Sequence, residues 1–385
     1  MVKQFRKKKP KFTSRRLALG GILDRYVGWT FATSYATALF IVMGLFIIMD
    51  LATNLDDFLE PWPDGSTVSS AIISAYYLFN LPFLFLQAAP FITLIAGLFT
   101  LTRLLNNNEL GAALAAGIGG RRVLLPIFLG GLLAAVGMTA LRETASATLL
   151  PVRDSLHYTL TEKKTERVYK TLRMRDLSGS LLRFREYRPG TDDEVPEGLD
   201  LAVHLRQGEI WLESIGATRA WWAERDGEWG LALENGTVSE VGDSQHQKPI
   251  DFLPRSRFDF SPEMALTYRR SKSNPLELSF FESVALGRRD PDNVVYQTLM
   301  QYHLTFPLAN LVLLLVGLPL VMRHERARGA GGVAKGLLLC LCFFATDFVC
   351  RSFGVQGALD PLIASWLPVL IFGSLGVALF DSVRT

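Results

Sequence analysis

Six long apolar runs constrain the fold of this 385-residue chain more than any other feature. Each run is close to the ~20 residues that an α-helix needs to cross the hydrocarbon core of a membrane. Three runs precede a polar middle segment and three follow it, so the sequence predicts an α-helical membrane protein with six transmembrane helices in a 3+3 arrangement. The predicted spans are Gly28–Met49, Leu81–Leu105, Val123–Leu141, Leu304–Met322, Val333–Val349 and Ile363–Leu379.

The positions of the basic residues predict the orientation, because short cytoplasmic loops are enriched in Lys and Arg. The first 27 residues carry nine Lys or Arg side chains and one acid, Asp24. The loop Asp50–Thr67 carries five acids and no basic residue, whereas Arg103–Arg122 and the loop after the fourth run are basic. We therefore expect both chain termini inside the cell and the polar middle segment outside it.

The polar middle segment, residues 142–303, has the composition of a folded β domain with flanking linkers. Asp226-Gly227 and Asn235-Gly236 are strong hairpin signals between strand-like runs. We expect a soluble antiparallel β domain over about Thr165–Thr267, either a sandwich or a partly open roll. The strand-like runs are Ser180–Tyr187, Leu201–Leu205, Glu209–Ile215, Thr218–Ala223, Glu228–Leu233 and Thr237–Val241. The other parts of the chain are a basic segment, 1–27, and two groups of three spans, 28–141 and 304–385.

Aromatic and apolar residues of the middle segment have two interpretations. Trp211, Trp221, Trp222 and Trp229 either pack in the core of the β domain or line a lipid-binding groove. After the β domain, Asn274-Pro275 marks a turn, and we expect a short amphipathic helix that returns to the membrane surface.

The segment Arg103–Arg122 predicts a short helix between the second and third spans, over about residues 105–118. Asn106, Asn107 and Asn108 offer side-chain N-caps, and Glu109 suits the positive end of the helix dipole. Alanine-rich Leu110–Ala116 favours helix, and the glycines that follow end it. The helix is either a docking element, whose small residues let a partner approach closely, or a simple connector.

The sequence lacks the motifs of common enzyme sites. It contains no P-loop, no Gly-x-Ser-x-Gly elbow, no His-Glu-x-x-His and no Cys-x-x-Cys pair. The three cysteines lie within one apolar run, which predicts neither a disulfide framework nor a metal site. A net charge of +3 gives no nucleic-acid footprint. We expect no catalytic residue, no metal and no cofactor.

Asp347 and Arg351 are the clearest charged residues within an apolar run, near the predicted outer end of the fifth span. A spacing of four residues lets them pair along one helix face. The alternative is that they contribute to binding an anionic lipid headgroup. Four prolines, at Pro82, Pro90, Pro307 and Pro319, favour kinks in the second and fourth spans.

Four segments together resemble the LptF/LptG (YjgP/YjgQ) family of lipopolysaccharide export permeases. They are LDRYVGWTF at Leu23–Phe31, LNNNELGAALAAGIGGRRVLLPI at Leu105–Ile127, HLTFPLANLVLLLVGLPLVMR at His303–Arg323, and GALDPLIASWLPVLIFGSLGVALF at Gly357–Phe380. The resemblance covers nearly the whole chain. It implies an inner-membrane half-transporter with six spans, a periplasmic β-jellyroll between the third and fourth, and no ATPase activity of its own.

The same resemblance implies partners and site residues. A cytoplasmic LptB-like ATPase dimer would seat on a coupling helix with contacts at Glu109, Leu110, Leu114, Arg121 and Arg122. A second LptF/LptG-type permease subunit would complete the cavity for lipopolysaccharide. An LptC-like or LptA-like periplasmic bridge would receive the lipid. The implied lipid gate lies on the first and fifth spans, at Phe46, Asp50, Asp347, Arg351 and Phe353, and the implied periplasmic lipid groove contains Trp211, Trp221 and Trp222.

A different class of function is a membrane receptor or scaffold whose outer β domain binds a lipid or protein ligand. Such a protein would need a sizeable cytoplasmic output domain. The predicted inner loops have about twenty residues or fewer, which favours the permease hypothesis.

Overall fold

The computed structural model describes residues 21–59, 69–162, 168–190, 195–207, 210–240, 247–322 and 330–381. Four parts of the orientation argument lie outside these residues: most of the basic N-terminal segment, the end of the acidic loop, the basic loop 323–329 and Arg384.

Six helical spans in the described chain are long and apolar enough to cross a membrane, and they confirm the predicted 3+3 arrangement. The fourth span is composite, because a 3-10 turn separates its two helices. The spans are α1 (Ile22–Leu59), α2 (Ser70–Asn106), α4 (Gly120–Thr148), α8 (Val294–Thr305) with the 3-10 helix η2 (Phe306–Leu308) and α9 (Ala309–Met322), α10 (Ala330–Val355) and α11 (Pro361–Asp381).

The first two spans are longer than their apolar runs predict. α1 has 38 residues, which at ~1.5 Å per residue is about 57 Å, well beyond the ~30 Å of a hydrocarbon core. The extra turns are stabilised by their own small core, where Phe58 of α1 packs on Tyr76 of α2 and on Leu160. Leu160 belongs to α5 (Leu150–Glu162). Hydropathy marks only the lipid-facing part of such helices, so it underestimates their length.

The prolines act differently in the two predicted kinked spans. Pro82 and Pro90 lie inside α2, which continues as one helix. Pro307 lies in η2, where the fourth span passes through a 3-10 turn, and the carbonyl of Pro307 accepts from Asn310 Nδ2 at 3.0 Å. Asn310 is fully buried and also accepts from Thr93 Oγ1 of α2 at 2.7 Å. The break is therefore held by polar contacts rather than left open.

The described part of the inserted segment between α5 and α8 contains one antiparallel sheet, which confirms the predicted β domain. The strand order is β1-β2-β3-β4-β5-β8, with β6 pairing with β4 and β7 with β6. The strands are β1 (Tyr169–Arg175), β2 (Leu181–Arg188), β3 (Glu197–Gln207), β4 (Ile210–Arg225), β5 (Glu228–Glu234), β6 (Thr237–Glu240), β7 (Lys248–Pro249) and β8 (Phe252–Pro254).

One of the two predicted hairpin turns is present and the other is wrong. Asp226 and Gly227 both have positive φ, at 56° and 79°, and join β4 to β5 in the way that this dipeptide favours. Asn235-Gly236 does not form a hairpin, because β5 and β6 do not pair with each other. Both pair with β4, one after the other along the same edge of that strand. The two runs predicted on either side of residue 216 are likewise the single 16-residue strand β4.

A row of five residues crosses the sheet and bends it. In each strand, one residue of this row has no paired residue in the neighbouring strand. Three of these residues, Thr171, Asp200 and Asn235, have left-handed φ values of 56°, 55° and 53°. Buried positions change parity there; in β2, for example, Phe184 and Tyr187 are both core residues. Each strand therefore turns a different set of side chains inward on either side of the bend. The row is Thr171, Arg185, Asp200, Thr218 and Asn235.

Short helices join the sheet to the fourth span. They are α6 (Pro262–Ser273), the 3-10 helix η1 (Pro275–Glu277) and α7 (Phe280–Arg289). Asn274 separates α6 from η1 at the predicted turn, and Ser279 and Glu282 form a capping box that starts α7. Tyr296 and Leu299 of α8 are buried in the same core as the sheet residues Phe184 and Trp222. The β domain and the start of the fourth span thus share one hydrophobic core.

An acid-sensitive ion cluster holds the end of the sheet to α7. Asp259 accepts from Arg289 Nη2 at 2.8 Å and from Arg255 Nη2 at 3.1 Å. Burial of Asp259 alone would raise the pKa of its carboxyl group, but the hydrogen bonds and charges of Arg289 and Arg255 lower that pKa. A lowered pKa in the folded state means stabilisation above the unfolded pKa of ~3.9, which is lost as pH falls through the folded value.

We expect Asp259→Asn to destabilise the chain at pH 7 and to have a progressively smaller effect below about pH 4, because the wild-type carboxylate is then protonated as well. Chemical denaturation in detergent at a series of pH values measures this. A wild-type-to-variant difference that stays constant down to about pH 2 would contradict the assignment.

Candidate functional site

The predicted helix between the second and third spans is present as α3, Glu109–Ala115. It ends as predicted at Gly117, whose φ is 80°. The amide of Ile118 donates to the carbonyl of Ala113 and the amide of Gly117 to that of Leu114, both at 3.0 Å. This is the hydrogen-bond pattern of a Schellman motif, which needs a left-handed residue at its centre.

The predicted asparagine cap is wrong. Asn108 occupies the N-cap position, but its φ of 56° is left-handed and its side chain makes no capping hydrogen bond. A capping side chain requires an extended backbone at that residue to aim its oxygen at the first turn. The neighbouring asparagine contacts the helix through its side chain instead, since Asn107 Nδ2 donates to Glu109 Oε1 at 3.0 Å.

α3 has one face in the core and one face exposed. Leu110 is 1% exposed and Leu114 packs against the main core of the membrane helices. The exposed face consists of residues with very small side chains, which allow another backbone to come close. These residues are Gly111, Ala112, Ala115 and Ala116. Leu110 and Leu114 therefore anchor α3 to the core of the membrane helices and do not lie on its exposed face.

Glu109 is tied to the first span. Tyr26 of α1 donates its hydroxyl proton to Glu109 Oε1 at 2.9 Å, the same oxygen that accepts from Asn107. The second oxygen, Oε2, is buried and has no hydrogen-bond partner among the described residues. A buried carboxylate oxygen without a donor is costly, so this position has unused capacity for a hydrogen bond.

Arg121 and Arg122 lie in the first turn of α4, not in a loop. Arg122 Nη2 lies 2.8 Å from Asp24 Oδ2 of α1, and Arg121 Nη2 lies 2.8 Å from Asp381 Oδ1 of α11. Two cations at a helix N-terminus are unfavourable for the helix dipole, and these carboxylates offset that charge. Both arginines thus point at acids of their own chain.

A second cluster of charged residues lines a cavity of about 340 Å³ near the sheet end of the helices. The cavity lies between α2, α4, η1, α8 and α10. Its polar lining residues are Gln87, Arg142, Glu277, Tyr302, Asp347 and Arg351, and its apolar ones include Phe344 and the exposed Phe348. Guanidinium groups beside an apolar opening suit the phosphate or carboxylate of an amphiphile.

The predicted ion pair between Asp347 and Arg351 is wrong. Both residues lie in the described part of α10, and their charged groups are not within 4 Å of each other. The guanidinium of Arg351 lies instead over the ring of Tyr302, 4.7 Å from its centroid. Asp347 is 7% exposed and faces the same cavity. The aromatic ring of Tyr302 attracts the cation instead.

Arg142 joins this cavity to a smaller one of about 150 Å³. It donates to Nδ1 of the buried His303, and because guanidinium can only donate, that nitrogen is an acceptor. The ring proton is therefore on Nε2, which faces Ser283 Oγ at 3.3 Å. This triad could not be predicted from the sequence, since its members come from α4, α7 and α8.

The predicted gate residues occupy two different helices. Phe46 of α1 and Phe353 of α10 are 40% and 46% exposed. Asp50 is half-buried and accepts from Tyr77 of α2 at 2.9 Å. α1 packs mainly on α2 and α4, whereas α10 packs mainly on α9 and α11. Within this chain, Phe46 and Phe353 are each part of an apolar surface that faces outward.

The three tryptophans of the predicted lipid groove do not share one face of the sheet. Trp222 is 7% exposed and stacks on Phe260, with ring centroids 4.7 Å apart. Its neighbour Trp221 points to the opposite face, as consecutive strand residues do, and lies beside Arg219. Trp211 is at the far end of β4, with Arg206 over its ring. The described residues contain no group of acids, histidines and cysteines that could hold a metal ion.

Comparison with known proteins identifies the family. None of the curated proteins compared with the chain matches its sequence. Residues 25–382 match the family model described as lipopolysaccharide export system permease LptF/LptG. The match spans all six membrane helices and the inserted sheet. The chain therefore belongs to the LptF/LptG family of lipopolysaccharide export system permeases and is a multi-pass inner-membrane protein.

Proposed function

We propose that this chain is the transmembrane permease subunit of an ATP-driven, ABC-type transporter that extracts lipopolysaccharide from the inner membrane and passes it to a periplasmic bridge. The family match over residues 25–382 carries the proposal. The sequence has no nucleotide-binding P-loop, so the energy of ATP comes from a separate LptB-like ATPase dimer. In this arrangement the chain's termini and α3 are cytoplasmic and its β domain is periplasmic.

α3 is the element best suited to seat the ATPase. It is short, it lies between two spans, and its exposed face of glycine and alanine lets a partner's groove approach the helix backbone. Glu109 sits at the start of that helix with one carboxylate oxygen unpartnered. A guanidinium or ammonium group of the ATPase would pair with this carboxylate where the half-buried Glu109 reaches the surface of the chain.

The opposite end of the helices supports lipid passage. The outward-facing apolar surfaces around Phe46 and Phe353 provide the contact with a second LptF/LptG-type subunit and with acyl chains. The cavity lined by Arg142 and Arg351 lies where an anionic headgroup would arrive beside the β domain. An LptC-like or LptA-like bridge would then take the lipid from the β domain.

A charge reversal on α3 tests the proposal. We expect an affinity-tagged chain to co-purify with an ABC-class ATPase, and Glu109→Lys to lower the amount of ATPase recovered per chain by about tenfold or more, because a buried contact to a charged group is replaced by repulsion. Quantitative mass spectrometry of the purified complex measures this ratio.

The control is Glu224→Lys, which makes the same charge change at an exposed position of β4. It should leave the ratio unchanged. Equal ATPase recovery with wild type and Glu109→Lys would remove α3 from the docking site, and absence of any ABC-class ATPase from the wild-type complex would contradict the proposed function itself.

A further inference from the structure

The start of α1 contacts both ends of the segment that contains α3. Tyr26 reaches Glu109 at the beginning of α3, and Asp24 reaches Arg122 in the first turn of α4. These two α1 residues are two positions apart, so their side chains leave the helix in different directions. One therefore meets α3 and the other meets α4.

The same part of α1 is packed tightly against α4. Val27 is fully buried and Phe31 is 5% exposed. A methyl group built at Gly130 of α4 would lie 2.4 Å from the ring of Phe31, so the two helices approach as closely as a glycine permits. A displacement of the α4 start therefore cannot be absorbed by empty space between α4 and α1.

Beyond its inner turns, α1 is held on one face only. Ala38, Val42 and Met43 are buried in the core of the membrane helices. Phe40 and Ile48 are 82% and 66% exposed. The next specific polar contact toward its far end is the hydrogen bond between Asp50 and Tyr77. A shift applied at Tyr26 and Asp24 would thus act on a long helix whose other face is exposed, and this helix carries Phe46.

We propose that Tyr26 and Asp24 are positioning residues that transmit the movement of α3 to α1, so that a partner seated on α3 shifts the first span through these two side chains. The inference rests on the proposed function, since it assumes that an ATPase seats on α3. It adds to that function the contacts that couple α3 to α1. These are the hydroxyl group of Tyr26 and the carboxylate of Asp24, and they act independently of the covalent connection of α3 to α1 through α2.

The test uses the co-purified complex of the full chain, its permease partner and the ATPase, in proteoliposomes that contain lipopolysaccharide. Three quantities are measured: ATPase recovered per chain, ATP hydrolysis rate, and lipopolysaccharide released per ATP hydrolysed. The variants are Tyr26→Phe, which removes only the hydroxyl group, and Asp24→Asn. The control is Asp381→Asn at the neighbouring Arg121. Asp381 pairs with Arg121 at the same 2.8 Å, but it belongs to α11 and its side chain is 81% exposed, against 11% for Asp24.

We expect both α1 variants to keep ATPase recovery and ATP hydrolysis within about twofold of wild type and to lower lipopolysaccharide released per ATP by about tenfold, the factor that one hydrogen bond to a charged group supplies. Asp381→Asn should match wild type. Tyr26→Phe combined with Glu109→Ala should release no less lipopolysaccharide per ATP than Glu109→Ala alone, because either substitution removes the same hydrogen bond.

Three results would overturn the inference. The first is release per ATP within twofold of wild type in both α1 variants. The second is loss of the ATPase from both variants, which would make the contacts a docking or folding feature. The third is an equal loss in Asp381→Asn. A wild-type complex without an ATPase would instead contradict the proposed function, so the two failures are distinguishable.

Discussion

Replacing Arg153 with alanine is expected to lower the free energy of unfolding of the chain by about 3–5 kcal/mol, the range for removing one partner of a buried ion pair. Arg153, on α5, is 7% exposed. Its two terminal nitrogens donate to the two carboxylate oxygens of Glu277, at 2.8 and 2.6 Å, and its guanidinium lies 4.7 Å from the centroid of the Phe83 ring. Glu277 belongs to η1, so the pair joins α5, the helix that follows the third span, to the segment that leads into the fourth.

Each charge of the Arg153–Glu277 pair stabilises the other in its buried position. Burial alone would lower the pKa of Arg153, but the hydrogen bonds and charges of Glu277 and Asp154 raise it. Alanine leaves the carboxylate of Glu277 largely buried without its cation, and the cost of that unpaired charge exceeds what the intact pair contributes.

Guanidinium-induced unfolding of the full chain in detergent measures the effect. Arg185→Ala is the control, because Arg185 and its partner Asp200 are 3.7 Å apart and their side chains are 67% and 54% exposed; we expect less than about 0.5 kcal/mol there. The double variant Arg153→Met with Glu277→Leu should recover most of the loss. A single-variant loss below about 1 kcal/mol would show that the pair contributes little.

Trp222→Ala is expected to destabilise the β domain by about 3–5 kcal/mol, the cost of removing a large aromatic side chain from a packed core. Trp222 stacks on Phe260 within the core that also holds Phe184 and Leu231. Few neighbouring side chains can move to fill the space, because the bend of the sheet fixes which residues point inward. Denaturation followed by circular dichroism measures the loss.

Trp229→Ala provides the comparison, since Trp229 is 56% exposed on β5 of the same sheet. We expect a change below about 1 kcal/mol. If the two variants were equally stable, Trp222 would not be part of the core, and its interpretation as a groove-lining residue would become the better one.

Properties that repeat along the chain could be predicted from the sequence. Apolar runs identify all six spans because lipid leaves no other solution for so many consecutive apolar residues. Their ends were less predictable, since the outer turns of α1 and α2 are stabilised by Phe58 and Tyr76 against α5, a contact between distant segments. Gly117 ended α3 as predicted because a left-handed helix end is a local property.

Properties that depend on distant partners could not be predicted. Asn235-Gly236 has the local chemistry of a hairpin, yet it lies where a strand crosses the bend beside Thr218, and Asn235 Nδ2 donates to that threonine hydroxyl. Asp347 and Arg351 have the spacing of an ion pair, but Tyr302 from another helix takes the cation. The bond between Tyr26 and Glu109 joins residues 83 positions apart. The pair of Asp24 with Arg122 is also long-range, although Asp24 stands out in the sequence as the one acid among the first basic residues.

The shared core of the sheet and α8 has a consequence for recognition. Tyr268 donates to the carbonyl of Arg175 at 2.6 Å, and the Arg175 guanidinium pairs with Asp290 at 2.6 Å, so polar contacts reinforce the same junction. A domain on a flexible tether loses orientational freedom when it docks, and that loss weakens affinity. In this chain, folding itself fixes the orientation of the β domain relative to α8, because the two share one core. A protein that docks on this sheet would meet a surface whose orientation is tied to the fourth span.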